Sequence, residues 1–321
     1  MRCVRNLDDL ERYISLKDKQ HLKKALTNMR MAITPHTLTL INFDDPCDPL
    51  LLMSVPQIQE LDVSPDEFLD PIGDEAKSPI PFLTHRYQDR VLVYVTFSCA
   101  QYCRFCFRRR KTGRACASPT ADERLNILTY LREHPIIEEA ILTGGDPFIL
   151  LDNQLDEWLK ALQGVPSIRR LRIHTRVPVT LPSRITPELV RMIRRRMKPT
   201  FPINIVTHFN HPNEIASENV EAVARLIDAG ILVRNQSVLL KGVNDDAKTL
   251  EALFKRLVDI RVVPYYLHQL DRAQGISHFR VPMEEGISLM RQLQGKVTGI
   301  ALPRYMLDRP GGKGKVQLAG N

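Results

Sequence analysis

The 321-residue chain has no apolar run of about 18 residues, so no membrane-spanning helix is expected. Its first residues, MRCVRNLDDLERY, lack the apolar stretch that opens a secretory signal, and a cytoplasmic location is the expectation. There is no solenoid-type repeat and no low-complexity tract. Cysteine is sparse and poorly distributed for a disulfide framework. Of six, Cys99, Cys103 and Cys106 fall within one short segment, while Cys3, Cys47 and Cys116 are scattered. That distribution suits a metal site in a reducing compartment. What remains is ordinary for a globular enzyme: 43% hydrophobic and 26% charged residues, which argues against wholesale disorder. The length suits one large domain or two small ones.

The charge balance, 45 basic against 37 acidic residues, leaves +8. Such an excess favours nucleic acid, acidic membranes or phosphorylated ligands, or is simply a solvated basic surface. Residues 1–82 read as a helical and loop-rich extension, with helical spacing over Leu7 to Met31 and many prolines and aspartates from Thr34 to Asp74. The extension packs on a core or acts as a lid. Beyond it the pattern changes. Strands are expected at Val91–Thr96, Glu139–Leu142, Arg170–His174, Ile203–Thr207, Leu232–Val238 and Val263–His268. Helices are expected near 120–133, 152–163, 186–197, 213–229, 246–259 and 283–296. Thr186 is the expected N-cap of the third, with Pro187 and Glu188 in its first turn. Six β–α units predict an α/β fold, a partial (β/α)6 TIM-like barrel over 83–305. Residues 306–321 form a short tail rich in glycine and lysine.

Residues with chemistry fall at one end of the expected strands. Cys99 follows the first and Gly144-Gly145-Asp146 the second. His174-Thr175-Arg176 closes the third and His208 follows the fourth. Asn235-Gln236-Ser237 lies in the fifth, and Gln269 and Asp271 follow the sixth. α/β barrels build active sites at that rim.

Cys99-Ala-Gln-Tyr-Cys103-Arg-Phe-Cys106 has the spacing C-x3-C-x2-C. Three thiolates on a short loop can hold three irons of a cubane cluster and leave the fourth open. A Cys3His zinc site is the alternative, although no fourth ligand lies nearby in sequence. The spacing, with an aromatic before the last cysteine, resembles the radical S-adenosylmethionine superfamily, and Thr143-Gly144-Gly145-Asp146-Pro147 fits that family's glycine-rich motif. Further segments narrow the likeness: Thr84-His85-Arg86-Tyr87-Gln88-Asp89-Arg90, Thr207-His208-Phe209-Asn210-His211-Pro212, Asn235 to Leu240, Gly275-Ile-Ser-His-Phe, and Leu307-Asp308-Arg309-Pro310-Gly311-Gly312-Lys313-Gly314-Lys315. Together they resemble the lysine 2,3-aminomutase family over about residues 78–316, including its elongation-factor-P branch.

The resemblance implies three cofactors and a set of roles. Cys99, Cys103 and Cys106 would ligate a [4Fe–4S] cluster. Gly144, Gly145 and Asp146, with Gln236, would bind S-adenosylmethionine. Lys315 would carry pyridoxal 5′-phosphate, with Lys313 interrupting the glycine run that commonly precedes this lysine. Arg86 and Arg90 would hold the phosphate, Arg108 the substrate carboxylate, and Asp271 and Asp308 the ε-ammonium of lysine. Residue by residue, plainer readings stand beside these. Arg86 and Arg90 are otherwise a surface pair that neutralises Asp89. Asp271 otherwise caps a turn, and Asp308 pairs with Arg309. Asn235 and Gln236 point to opposite faces of their strand, so one reaches the interior. His174 and His208 are interior ligand contacts or satisfied core histidines. Cys3, Cys47 and Cys116 are expected to be non-ligands.

The implied reaction converts L-lysine to β-lysine. A 5′-deoxyadenosyl radical removes a β-hydrogen and the amino nitrogen migrates from the α- to the β-carbon. Aminomutation of another amino acid is the alternative within the family. A zinc-dependent RNA-binding protein is the competing class; it would explain the net charge and the run Arg108-Arg109-Arg110-Lys111, but not the glycine pair or the converging β–α units. Implied partners are a small-molecule substrate, an electron donor such as flavodoxin or ferredoxin, and another copy in a homo-oligomer, with no nucleic acid and no membrane. The chain is shorter than the free-lysine catabolic members and lacks their cysteine-bearing extension. That, with Tyr265-Tyr266-Leu267-His268-Gln269-Leu270-Asp271, points to the elongation-factor-P branch.

Overall fold

Alternation of side chains along the strands sorts the sheet into a polar concave face and an apolar convex one. A computed structural model describes residues 2–112, 118–309 and 314–319. Its nine strands are β1 (Leu83–Tyr87), β2 (Arg90–Thr96), β3 (Glu139–Gly144), β4 (Arg170–His174), β5 (Ile203–Thr207), β6 (Val233–Val238), β7 (Val263–His268), β8 (Arg304–Asp308) and β9 (Lys315–Ala319). They form one sheet in sequence order. β2 to β8 run parallel, and β1 and β9 are antiparallel edges. On one face Leu171, Ile173, Val233 and Leu267 pack into the core shared with the helices. On the other, Arg172, His174, Gln236, Tyr266 and His268 line a cavity. The two-residue period of a strand produces this division.

The six expected strands and six expected helices are present, in an open barrel. Helix Pro187–Arg196 starts as expected: Leu189 N donates to Thr186 Oγ1 at 3.2 Å and Pro187 opens the first turn. Three departures stand out. Helix Ser217–Asp228 begins after a separate turn at Pro212–Glu214. The Leu7 to Met31 stretch is two helices, Leu7–Leu10 and Lys19–Asn28, parted where Asp18 takes φ 54° and caps the second through His21 N. The segments flanking the six β–α units add three strands beyond the six expected, β1, β8 and β9. No helix among the described residues is long and apolar enough to cross a membrane.

Among the described residues no ladder joins β1 to β9. The two ends of the sheet meet through side chains instead: Arg86 of β1 pairs with Asp308 of β8 and donates to Arg309 O at 2.7 Å, and Lys315 N of β9 donates to Tyr87 Oη of β1 at 3.0 Å.

The N-terminal extension has its own core, in which Val4, Leu10, Ile33, Leu50 and Met53 pack with Phe105, Leu270, Ile276 and Phe279 from loops at the carboxyl ends of the strands. Fully buried Arg104 donates to both oxygens of Glu60, at 2.8 and 2.5 Å, and Arg109 donates to the same carboxylate at 2.5 Å. Burial alone would raise the Glu60 pKa, but the two guanidinium groups hold it below the usual carboxylate value. Removing this acid strands two buried cations. Glu60→Ala should therefore destabilise the fold by about 3–5 kcal/mol in urea denaturation; a loss below about 1 kcal/mol would contradict the arrangement.

Candidate active site

The concave face and the loops above it enclose a cavity of about 460 Å³. Among its lining residues are all of the sequence-derived site residues: Cys99, Cys103, Cys106, Arg86, Arg90, Arg108, Gly144, Gly145, Asp146, Gln236, Asp271, Asp308 and Lys315. Cys116 and Lys313 lie outside the described residues. Cys3 and Cys47 lie away from the cavity lining as free thiols.

The cysteine loop leaves β2 and is tied residue by residue to the N-terminal extension. Gln101 accepts from Thr34 N at 3.3 Å and donates to Ser54 Oγ at 3.1 Å. Tyr102 N donates to Ala32 O at 3.1 Å and Arg104 N to Met53 O at 2.9 Å. The three thiols turn toward the cavity, half-buried and free. Burial and the neighbouring Asp146 and thiols push Cys99 well up, and burial raises Cys103 against the pull of Arg176. Without a cation these groups stay protonated; bound iron replaces the protons and supplies the missing charge. Among the described residues no group of three or more His, Cys, Asp or Glu is placed to hold a single metal ion. A cubane asks something different, one thiolate on each of three irons, and three thiols on one loop fit it.

The glycine pair is needed where β3 ends. Gly144 has φ +113°, and a Cβ there would stand 2.4 Å from Thr96 O. A Cβ on Gly145 would stand 2.1 Å from Ser98 O. The pair thus lets β3 press on the backbone that launches the cysteine loop, with Gly145 N donating to Thr96 O at 2.6 Å. Asp146 is buried and lines the cavity. Its carboxylate accepts from Thr175 Oγ1 at 2.6 Å, Arg176 N at 2.7 Å, Phe148 N at 3.0 Å and Val177 N at 3.1 Å. Both oxygens are engaged with two chain turns, which orders the rim. Gln236, not Asn235, faces the cavity, with Nε2 3.5 Å from His174 Nδ1. Asn235 is buried and binds Phe209 N and O at 2.7 and 3.1 Å.

Opposite the cysteines, Lys315 opens β9 directly across from Asp308. Its amine lies 3.5 Å from His268 Nε2 and 5.1 Å from the Tyr266 ring centre. Burial, with Arg172 and Arg108, outweighs Asp308 and Asp271 and lowers its pKa to about 8. A lysine partly neutral near neutral pH can attack a carbonyl, which fits the amine to pyridoxal phosphate. Asp271 has its pKa raised to about 7, first by burial and then by Asp308. Burial and the surrounding cations hold His174 and His268 neutral and take His208 down to about 3. His174 Nε2 is buried with no hydrogen-bond partner, an orphaned atom aimed into the chamber.

The basic run that could suggest nucleic acid is neutralised from within. Arg108 donates to Asp74 through Nε and Nη2 at 3.2 and 3.0 Å, Arg109 to Glu60, and Arg110 lies 3.1 Å from Asp70. Arg86 and Arg90 both line the cavity; Arg86 is engaged by Asp308, while Arg90 donates to Asp89 at 2.7 Å and stacks 3.8 Å from the Tyr87 ring centre. The sequence reading missed Asp74, which sits in a loop without periodicity. It also gave no role to Arg172, Arg176 or Glu214, which a polar position on a barrel strand or rim could have flagged.

A parallel barrel with three cysteines on the loop after its first parallel strand defines a radical S-adenosylmethionine enzyme. Residues 93–253 match the Radical SAM superfamily. The fold is similar to a radical SAM methyltransferase from Sphaerobacter thermophilus, with TM-score 0.52, 19% identity, and 70% of this chain and 68% of that one covered. The chain is 40% identical over 320 residues to L-lysine 2,3-aminomutase of Acetoanaerobium sticklandii, covering 99% of this chain and 76% of that protein. It is also 38% identical over 317 residues to glutamate 2,3-aminomutase of Clostridioides difficile, covering 98% and 74%. The chain belongs to the lysine 2,3-aminomutase family and is an isomerase of the aminomutase type.

Gly145→Ala should displace the cysteine loop while leaving the barrel folded. The expected outcome is a protein with native circular dichroism that takes up less iron on anaerobic reconstitution; wild-type iron uptake would refute the close approach.

Proposed function

We propose that the chain is a lysine 2,3-aminomutase that uses a [4Fe–4S] cluster on Cys99, Cys103 and Cys106, S-adenosylmethionine, and pyridoxal phosphate on Lys315. The observation that carries this reading is one chamber with three thiols on one wall and, on the other, a lysine of lowered pKa beside two carboxylates. When bound, the cofactors supply a carbon radical and a carbonyl that takes the migrating nitrogen. The chain's own residues bind, orient and exclude water. Gln236 and the orphaned His174 Nε2 offer polar contacts to S-adenosylmethionine on the cluster side. Arg86 and Arg90 offer guanidinium groups to a phosphate. Arg108, fixed by Asp74 and stacked 4.5 Å from the Phe107 ring centre, offers its charge to the substrate carboxylate.

Substrate choice rests on charge, because relatives named for lysine and for glutamate are about equally similar. Asp271 and Asp308 present two carboxylates, and Asp308 is already paired with Arg86. Asp271 is therefore the acid left to receive a cation. A buried ε-ammonium needs such an acceptor, since its desolvation costs several kcal/mol otherwise, and a side-chain carboxylate would be repelled. The stretch Tyr265–Asp271, which likens the chain to the elongation-factor-P branch, supplies β7 and Asp271 to this wall; we read the product as β-lysine for that use.

An Asp271 pKa of about 7 sets a pH dependence. Below about 7 the acid is protonated and holds a cation poorly; above it the carboxylate is charged. The KM for lysine should therefore fall as pH rises through about 7. Asp271→Asn should remove this step and lower kcat/KM for lysine by at least about 100-fold, about 2.7 kcal/mol, with cofactor content unchanged. Chiral chromatography of anaerobic reactions gives the readout, and efficient turnover of glutamate by the unmodified enzyme would overturn the assignment.

Borohydride reduction of the pyridoxal-phosphate-loaded protein should label the peptide that contains Lys315, and Lys315→Ala should abolish the label. A label on Lys313 or on another peptide would reject the attachment site.

A further inference from the structure

One strong polar contact in the chamber has no part in the reading above. Arg176, at the end of β4, is buried, and each face of its guanidinium is occupied. Nε donates to His208 O at 3.1 Å, Nη2 to Glu214 Oε1 at 2.5 Å, and Nη1 to Cys103 Sγ at 2.7 Å. Its Cζ lies 5.3 Å from the Phe105 ring centre. Glu214 is itself fixed, because Oε2 accepts from Asn210 N at 2.5 Å and His211 N at 3.0 Å. The backbone N of Arg176 donates to Asp146. Side chain, counter-ion and backbone are thus all held in place, and Nη1 is aimed at a sulfur.

We propose that Arg176 sets the reduction potential of the cluster through its hydrogen bond to Cys103, with Glu214 as the counter-ion that fixes the guanidinium and offsets its charge. This rests on the reading that Cys103 ligates the cluster. A donor to a ligand sulfur draws electron density from it and favours the reduced cluster. A buried cation acts in the same direction and a buried anion in the opposite one. Arg176 is a positioning residue here: it touches a ligand of the cluster and not the substrate.

The test is an EPR-monitored redox titration of the reconstituted protein, in which dithionite delivers one electron to each cluster. At a fixed potential, Arg176→Met should lower the ratio of reduced to oxidised cluster about tenfold, equal to about 59 mV for one electron. Arg176→Lys, which keeps the charge, should shift less. Glu214→Gln, which removes the anion, should move the potential upward. Opposite signs for Arg176→Met and Glu214→Gln are not expected of two merely structural residues. Potentials equal to wild type in the variants that load iron would overturn the proposal, as would failure of all three variants to load it. A wild-type protein that binds no iron would instead reject the cluster reading itself.

Discussion

The site depends on an ionic seam between an acidic N-terminal extension and a basic cysteine loop. Glu60, Asp70 and Asp74 meet Arg104, Arg108, Arg109 and Arg110, and the innermost pairs are almost wholly withdrawn from water. Each of these arginines lies within the loop or just beyond its last cysteine. Their partners come from more than thirty residues upstream. A short loop carrying three thiols has little internal structure to define it; here its shape is imposed from outside by buried charge pairs that tolerate only one register. The same seam accounts for much of the local excess of arginine without any nucleic acid.

The second organising constraint is the two-residue period of the strands. It gives a barrel whose interior is charged and whose exterior is apolar, so that Arg172, His174, Gln236, Tyr266 and His268 face the chamber from three strands. Burial, and after it the neighbouring cations, keeps the histidines neutral and lowers the Lys315 pKa. The paired acids Asp271 and Asp308 work against that field, and burial raises Asp271. Acid and amine are thus brought toward neutrality by one enclosed environment.

The sequence disclosed what local periodicity and motif spacing can carry. β2 to β7 and the helices between them were legible because apolar alternation and caps such as Thr186 are local signals. The cysteine loop and the glycine pair were legible by spacing. Asp74 was not, since its partner Arg108 lies 34 residues away and its loop shows no pattern. The four hydrogen bonds of Asp146 to the rim were not legible either, since three of them depend on residues 175–177 folding over it. The Leu7 to Met31 stretch kept helical spacing across a break that only the left-handed turn at Asp18 reveals. β8 and the edge strand β9 escaped because a short antiparallel pair has little sequence signature apart from its partner.

The barrel's unclosed side leaves one seam of the chamber to side chains. Among the described residues, β1 meets β8 and β9 through Arg86 with Asp308 and Arg309 and through Tyr87 with Lys315, not through a ladder. Lys315 opens an edge strand that is laddered to β8 on one side and meets β1 through the Tyr87 hydroxyl. The geometry of that seam rests on a few side chains, so a single substitution at Arg86 or Tyr87 reaches the strand that carries Lys315.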